Sequence, residues 1–210
     1  MATTVRLIRP AIIGIGPFGE RVADILLSQF ENGHVTQDVA GAFSADADAV
    51  VLVLWRPSPA LCEVADQSAY EMGIPWLPVV VEHPYAIIGP WIAPHAGPCF
   101  ACSSRRRDQH DQDWRATRAL RAAYDEDPTC GPAGFLPQHA RLVAGMAARI
   151  IRRRPTGMVT AISLRKHGMT TYPVVPLHGC PRCGRELPRP GLRQLLRLAG
   201  TDEKERARAR

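Results

Sequence analysis

No apolar run in this chain of 210 residues approaches the length of about 18 to 20 residues that a membrane-spanning helix needs. The amino-terminal segment MATTVRLIRPAIIGIG also lacks the long apolar core and the small-residue cleavage site of a secretory signal. No internal repeat is present, which excludes repeat architectures. These absences exclude a transmembrane or secreted protein and predict a soluble, cytoplasmic one.

Aromatic side chains are also scarce where they would matter for nucleic-acid binding. The arginine clusters at 105–107 and 152–154 lack the interleaved aromatic residues on which bases stack. Residues 1–97 carry 4 Lys or Arg against 10 Asp or Glu, whereas residues 98–210 carry 22 against 10. A basic second half fits an acidic peptide, an acidic protein or nucleic acid, or simply a solvated helix surface. We do not expect nucleic acid, because the stacking residues are missing.

Six cysteines are present, and in a cytoplasmic chain they indicate metal binding or reactivity rather than disulfides. Four form two C-x-x-C pairs, Cys99 with Cys102 and Cys180 with Cys183. Four thiolates complete a closed tetrahedral site, which predicts structural zinc, although an iron–sulfur cluster uses the same ligand type. The two pairs of an ordinary zinc ribbon lie about 15 to 20 residues apart. Here 77 residues separate Cys102 from Cys180, so this site would join distant parts of the chain.

Two further cysteines and two histidines lie outside the cysteine pairs. Cys62 lies in a helical pattern and is expected to be a buried apolar filler. Cys130, in DPTCGPAG, is either a free loop cysteine or a reactive thiol. His95 and His178 lie close to the cysteine pairs, where each could replace a ligand or remain at the surface.

A glycine-rich turn joins the first predicted strand to the first predicted helix. Gly14, Gly16 and Gly19 form G-x-G-x-x-G within AIIGIGPFGERVADILLSQF. In a nucleotide site these glycines permit close approach of the backbone to a phosphate, but helix-to-strand packing alone also requires small residues here. Asp38 lies at about the distance expected for a ribose-binding acid, on a short and weakly apolar segment.

The order of predicted elements gives the fold class. AVVLVLW has the continuous apolar character of a parallel strand covered on both faces, and a helix from Ser58 to Gly73 leads to a further strand in IPWLPVVVE. A polar helix is predicted over 103–124, then an amphipathic helix with Leu142, Val143, Met146, Ile150 and Ile151 on its apolar face, then a hairpin turning near KHGM.

This order predicts an α/β protein: a reduced, Rossmann-like doubly wound sheet with a C-terminal helix, a hairpin and a four-cysteine zinc staple. We expect a Rossmann-like domain at 9–104, a basic helical and hairpin module closed by zinc at 105–188, and a basic, partly disordered tail at 189–210.

Taken together, these motifs resemble the ThiF/MoeB-like superfamily of ubiquitin-activating-type adenylating enzymes. The resemblance covers residues 9–185 and rests on GIGPFG, ADAVVLVL, SAYEMGIPW, GPWIAPHAGPCFAC, PTCGPAGFLPQHARLVAGMAARII and GCPRCG, which occur in the family's order. The family's cysteine pairs are also separated by a long insert, so the 77-residue gap is a family-like trait. The resemblance implies a homodimer.

The departures from the family pattern concern ATP. Pro17 stands where adenylating members have another glycine, no Asp-x-Asp follows the second predicted strand, and Arg56 and Pro57 lie where a metal-binding aspartate is expected. Backbone dipoles alone would then have to neutralise a triphosphate, so we do not expect ATP to be used.

This degenerate pattern is most similar to the non-adenylating ThiF-like proteins of azole and azoline peptide pathways. The resemblance implies a scaffold that presents a precursor peptide to, or activates, a YcaO-type cyclodehydratase. The glycine turn comes early, at residue 14, so we expect the winged-helix domain of many such proteins to be absent. The alternative is an active, ATP-dependent adenylating or sulfur-transfer enzyme that uses Cys130. A nicotinamide-dependent oxidoreductase lacks a clear catalytic set here.

Overall fold

The computed structural model describes residues 8–132, 134–166 and 168–183. These ranges form a seven-stranded sheet and five helices, which confirms the mixed α/β class predicted from the sequence. The expected tail at 189–210 lies outside the described residues. None of the five helices in these ranges has the length and apolar composition needed to cross a bilayer.

In chain order the elements are β1 (Pro10–Ile15), α1 (Gly16–Leu27), β2 (His34–Val35), β3 (Ala49–Leu54), α2 (Pro59–Met72), β4 (Trp76–Glu82), β5 (Tyr85–Ile88), α3 (Phe100–His110), α4 (Trp114–Glu126), α5 (Pro137–Arg153), β6 (Met158–Ser163) and β7 (Met169–Pro173).

The strands of the sheet follow the order β2-β1-β3-β4-β5-β6-β7. The first four strands in the chain pair in parallel, whereas β5, β6 and β7 are antiparallel to their neighbours. The chain leaves β1 towards β2 on one side and returns to β3 on the other, so the strand order reverses between β1 and β3. Open α/β sheets bind ligands at the carboxyl ends of strands beside such a reversal. Here those ends meet where Ile15 pairs with Leu54.

Strand β3 is buried along its whole length and carries both halves of the core. Val51 and Val53 pack with α1 and α5, whereas Val50, Leu52 and Leu54 pack with α2 on the opposite face. Successive side chains of a strand point to opposite faces, so a strand covered on both sides must be apolar throughout. The interpretation of AVVLVLW as such a strand is confirmed.

Helix α2 occupies the span expected from the sequence. It ends at Gly73, whose φ of 68° gives the left-handed conformation that glycine adopts easily. Ser58 stands at the N-cap position, but its hydroxyl donates to Asp125 at 2.7 Å instead of capping the helix. Cys62 is buried on the inner face, and this burial raises the pKa of its thiol to about 12.

Helix α5 presents a different apolar face from the one predicted. Leu142 is 52% exposed, so its assignment to the core is wrong. The buried positions besides Val143, Ile150 and Ile151 are alanines: Ala140, Ala144, Ala147 and Ala148. Alanines allow close packing in the core that α5 shares with α1 and the sheet, and the periodicity of large apolar residues alone does not reveal such a face.

The polar segment 103–124 contributes to two helices and not to the single exposed helix predicted. Between α3 and α4, the carboxylate of Asp111 accepts a hydrogen bond from the backbone N–H of Asp113 at 2.9 Å. Such local side-chain contacts compete with helix continuation. Helix α4 also buries Tyr124, so α3 and α4 pack against the rest of the fold and are not fully exposed to solvent.

The expected hairpin is formed by β6 and β7, with its turn between Ser163 and Met169. Strand β6 pairs with β5 on its other side, so residues before and after the expected division at 104/105 build one continuous sheet. That division falls inside α3. The hairpin returns the chain to α3, where the second cysteine pair lies.

Candidate functional site

The four paired cysteines, hereafter the cysteine cluster, come together at the start of α3. Cys99 directly precedes this helix and Cys102 lies in its first turn. The segment 174–183 brings in Cys180 and Cys183, and the backbone N–H of Leu177 donates to the Cys102 Sγ at 3.3 Å. All four sulfurs lie within 4.8 Å of one another, and three of the four residues are buried.

The spacing of the sulfurs suits a tetrahedral metal ion. The Sγ separations are 3.7 Å for Cys99 and Cys180, 3.3 Å for Cys102 and Cys183, and 3.8 Å for Cys183 and Cys99. A tetrahedron with metal–sulfur bonds of about 2.3 Å has sulfur–sulfur edges of about 3.8 Å. The cluster can therefore hold a metal ion with little rearrangement, and the donor set is compatible with zinc.

The thiols of the cluster do not ionise equally in the absence of a cation. Burial raises the pKa of Cys99 above its ordinary value and that of Cys183 to about 12. Burial opposes ionisation of Cys180 too, but hydrogen bonds from the backbone N–H groups of Cys183 and Arg182 lower its pKa to about 6. Several thiolates in one buried cluster repel each other, and a bound divalent cation removes that repulsion.

One buried carboxylate, that of Asp66 on α2, links both cysteine pairs to the sheet. It is 3% exposed and accepts hydrogen bonds from the Trp76 Nε1–H and the Phe100 backbone N–H, each at 3.3 Å. Its second oxygen forms a salt bridge with Arg182. Because Phe100 follows Cys99 and Arg182 lies between Cys180 and Cys183, this carboxylate fixes the position of both pairs.

The two histidines near the pairs lie outside the group that could hold a metal. In the described residues this group consists of the four cysteines. His95 is exposed, with its ring 4.6 Å from that of Tyr70, and His178 is exposed in the loop before Cys180. Neither supplies a ligand atom to the cluster in this arrangement.

The glycine turn is closely packed against the chain's own atoms. A Cβ on Gly14 would lie 2.5 Å from the Gly19 carbonyl oxygen, and a Cβ on Gly19 would lie 2.5 Å from the Val53 carbonyl oxygen. These two glycines let α1 approach β1 and β3. Gly16 has a φ of 72°, and a Cβ there would lie 2.2 Å from the Trp55 ring.

Trp55 and Arg56 follow β3 directly and fill the space beside the turn. The Trp55 ring covers the backbone of Gly16 at the reversal point of the sheet, where a phosphate would have to approach. Arg56 is 7% exposed, and its guanidinium lies over the Tyr124 ring at 4.8 Å. An aromatic ring and a cation thus occupy the space beside the glycine turn at the end of β3.

Cys130 lies in the loop between α4 and α5 and is partly exposed. Its backbone N–H donates to the Asp127 carbonyl at 3.2 Å. A Cβ on the next residue, Gly131, would lie 2.9 Å from the Arg56 Cδ, so the loop is packed tightly against the residues that follow β3. This thiol is separate from the cysteine cluster.

No protein-family model matches the chain, and no curated protein matches it. Solved structures do match. The heterocyclase TruD aligns with a TM-score of 0.61 at 17% identity over 85% of this chain. A heterocyclase in complex with substrate and cofactor aligns at 0.60 and 18% over the same share. The E. coli microcin synthetase McbBCD complex contains a chain that aligns at 0.59 and 14%, covering 86% of this chain and 70% of that one.

The matches also differ in extent. This chain spans 28% and 25% of the length of the two heterocyclases. It spans 66% of E. coli MccB, whose structure with AMPCPP and MccA aligns at a TM-score of 0.55 and 13% identity. At such identities the likeness shows a shared fold.

Two features of the site were not predicted from the sequence. Asp66 is a carboxylate within the buried stripe of α2, between Ala65 and Ala69. A charged residue at such a position is a signal for a buried partner, although nothing in the pattern names Arg182 as that partner. The covering of Gly16 by Trp55 depends on the register between β1 and β3, which a linear pattern does not give.

Proposed function

We propose that this chain is a ThiF-like, Rossmann-like docking subunit that performs no catalysis itself. In this role it presents a precursor peptide to, or activates, a YcaO-type cyclodehydratase in the biosynthesis of a bacteriocin-type ribosomal peptide. The fold likeness to the heterocyclases and to a chain of the microcin synthetase complex supports the pathway. The motif resemblance over residues 9–185 supports the subgroup.

The position of Trp55 carries the non-catalytic part of the proposal. Its ring lies on Gly16, which is the point where the backbone of an active member would meet a phosphate. Arg56 follows it where a Mg²⁺ ligand is needed, and a guanidinium cannot bind Mg²⁺. A triphosphate would therefore meet a closed turn without its metal ligand, and ATP is not part of the proposed function.

The cysteine cluster has a structural role in this proposal. Four sulfur ligands leave no open coordination position, so a bound zinc ion supplies cross-linking and no Lewis-acid chemistry. Cys99 and Cys102 hold the start of α3, while Cys180 and Cys183 hold the segment after β7. The link would fix the segment after β7 against α3 within the basic region 105–188, which would serve for docking, and we propose that two copies of the chain form a homodimer.

An adenylating or sulfur-transfer enzyme that uses Cys130 is the second candidate. One observation favours it: Cys130 is partly exposed and lies next to Gly131, which packs against Arg56 at the end of β3. A substrate carbonyl bound near this strand end would be within reach of a loop thiol. This candidate requires a nucleotide site at the glycine turn, so the Trp55 ring would have to move away from Gly16.

Titration calorimetry with Mg-ATP and peptide-stimulated pyrophosphate exchange test the two candidates. We expect neither micromolar nucleotide binding nor exchange. Either signal would overturn the docking proposal. A thioester or persulfide trapped on Cys130 and lost in Cys130→Ala would select the enzyme.

A positive test of docking starts by looking for genes of a YcaO-type enzyme and a short precursor peptide beside the gene for this chain, and then uses both products. The full chain should co-elute with the enzyme on size exclusion and should raise the yield of heterocycles, read by mass spectrometry as loss of water. Cys130→Ala should support the same yield, because the proposed role uses no nucleophile. An unchanged yield without the chain would remove the proposed role.

A further inference from the structure

A large cavity beside the carboxyl ends of β3 and β4 has no assigned use. Its volume is about 1140 Å³. The walls come from the ends of β3 and β4, from α3 and α4, and from β7 with the two residues after it. Its apolar lining includes Val81, Leu120, Tyr124, Tyr172 and Val174.

Arg56 is a lining residue whose buried guanidinium lies over the Trp55 and Tyr124 rings, at 5.3 and 4.8 Å, and forms no salt bridge with the described residues. Its side chain is 7% exposed, and its Nη2–H donates to the Asp127 carbonyl at 3.1 Å. Its Nε–H and Nη1–H groups are buried and have no hydrogen-bond partner among the described residues. Buried N–H groups of a cation are costly to leave unpaired, so an anionic oxygen is the partner that this position favours.

Of the three acidic residues of the wall, Glu82 and Asp108 pair with arginines, whereas Asp111 accepts a hydrogen bond from the Asp113 backbone N–H. Glu82 pairs with Arg107 at 2.8 Å and with Arg121 at 3.2 Å, and Arg121 also pairs with Asp108 at 2.8 Å. Arg106 donates to the backbone carbonyls of Val175 and Pro176 and to the Gln109 side chain, and it forms no salt bridge in the described part of the chain. The wall therefore holds four arginines against three carboxylates, those of Glu82, Asp108 and Asp111, so the cavity keeps a net positive charge. Arg56 and Arg106 are the arginines of the wall without a carboxylate partner among the described residues.

We propose that this cavity binds an acidic peptide segment, with one carboxylate of the peptide on the Arg56 guanidinium. The choice of a peptide rests on the proposed docking function, whereas the choice of an anion rests on Arg56 alone. The carboxylate belongs to a Glu or Asp side chain or to a free C-terminus, and both sources share the same chemistry.

The shape and the surroundings of the cavity favour a peptide over a small molecule. The volume exceeds the range of about 300 to 1,000 Å³ typical of small-molecule sites. Strand β7 ends the order of the described sheet, and Tyr172 and Pro173 on it line the cavity. An edge strand offers unpaired backbone groups to an extended segment, while apolar pockets beside it take alternate side chains.

Fluorescence anisotropy with three labelled peptides of one apolar sequence tests this inference. The first has one central glutamate and an amidated C-terminus, the second has glutamine instead, and the third has the glutamine with a free C-terminal carboxylate. Against the full chain, the first or the third peptide should bind about ten- to a hundredfold more tightly than the second. Which of the two binds identifies the source of the carboxylate. Equal affinity of all three would overturn the inference.

Arg56→Gln should abolish this preference, while Arg153→Gln, the same change at an exposed position at the end of α5, should preserve it. Leu120 lines the cavity and is 50% exposed, so its variants should fold. Leu120→Glu should weaken and Leu120→Lys should strengthen binding of the preferred peptide, each by about two- to fivefold. No difference between this pair would contradict the location, even if Arg56→Gln failed to fold.

Two further outcomes separate this inference from the proposed function. Displacement of the peptide by inorganic phosphate at a lower concentration than by acetate would assign the cavity to a phosphate compound and overturn the peptide. If the chain co-elutes with its YcaO-type enzyme but shows no preference for carboxylate peptides, the cavity inference fails and the docking function stands.

Discussion

Replacing Asp66 by asparagine should weaken the cysteine cluster from outside the set of ligands. The substitution retains one oxygen for the Trp76 and Phe100 donors but removes the charge that pairs with Arg182. An amide N–H₂ in place of the second oxygen would also face the guanidinium, donor against donor. The loop that carries Cys180 and Cys183 then loses its main link to α2.

The size of the effect follows from the burial of the two partners. Removing one partner of a fully buried ion pair costs about 3 to 5 kcal/mol. Asp66 is 3% exposed, but the Arg182 side chain is 28% exposed and can turn towards water. We therefore expect a loss of about 1.5 to 3 kcal/mol, the range for a hydrogen bond to a charged group. Residues that orient metal ligands typically change metal affinity by about 10- to 100-fold, and we expect a decrease in that range.

Competition with a chromophoric zinc chelator measures this affinity, and thermal unfolding measures the stability. Glu63→Gln makes the same chemical change at an exposed position of the same helix and should match the wild type. Arg182→Gln combined with Asp66→Asn should cost less than the sum of the single changes, because the pair acts as a unit. Wild-type zinc affinity in Asp66→Asn, together with additive single and double variants, would refute the role assigned to this carboxylate.

Three other predictions concern the rest of the fold. Gly16→Ala should lower the free energy of unfolding by about 2 to 4 kcal/mol, because of the left-handed backbone and the contact with the Trp55 ring. Adding Trp55→Ala to this variant should recover part of that loss in denaturant unfolding, and strictly additive effects of the two changes would argue against the contact. In the native chain at about pH 8, Ellman's reagent should modify Cys130 well before Cys62. Burial raises the pKa of Cys62 to about 12, so only a fraction of roughly 10⁻⁴ of this thiol is ionised, and equal rates of modification would contradict the burial. Removing metal from the cysteine cluster with a chelator should lower the melting temperature, and adding zinc back should restore it. A melting temperature that neither treatment changes would exclude a structural metal.

Those parts of the fold that depend on local pattern could be predicted from the sequence. The continuous apolar run Ala49–Leu54 has the length and composition of a strand buried on both faces, which the structure confirms. Gly73 ends a helix because its left-handed conformation is accessible to glycine. The hairpin formed by β6 and β7 follows from alternation around a polar turn.

Features that depend on close or distant packing could not be predicted. Four of the seven buried residues of α5 are alanines, whose small size is useful only because a neighbouring helix lies close by. The break between α3 and α4 coincides with a side-chain contact of Asp111 that the pattern of the segment does not reveal. The cavity collects residues from Arg56 to Val175, and no linear spacing indicates that these positions meet.

The position of the second cysteine pair has a consequence for the order of folding events. Cys99 and Cys180 are 81 residues apart, and in the folded chain the pairing of β6 and β7 with the sheet brings Cys180 to α3. Closing a loop of that length in an unordered chain has an entropic cost of about 4 kcal/mol. If the hairpin has already paired with the sheet, most of this cost is met before the metal binds. Metal capture should therefore be a late step with a rate set by hairpin docking, and metal exchange should report how often this edge of the sheet opens.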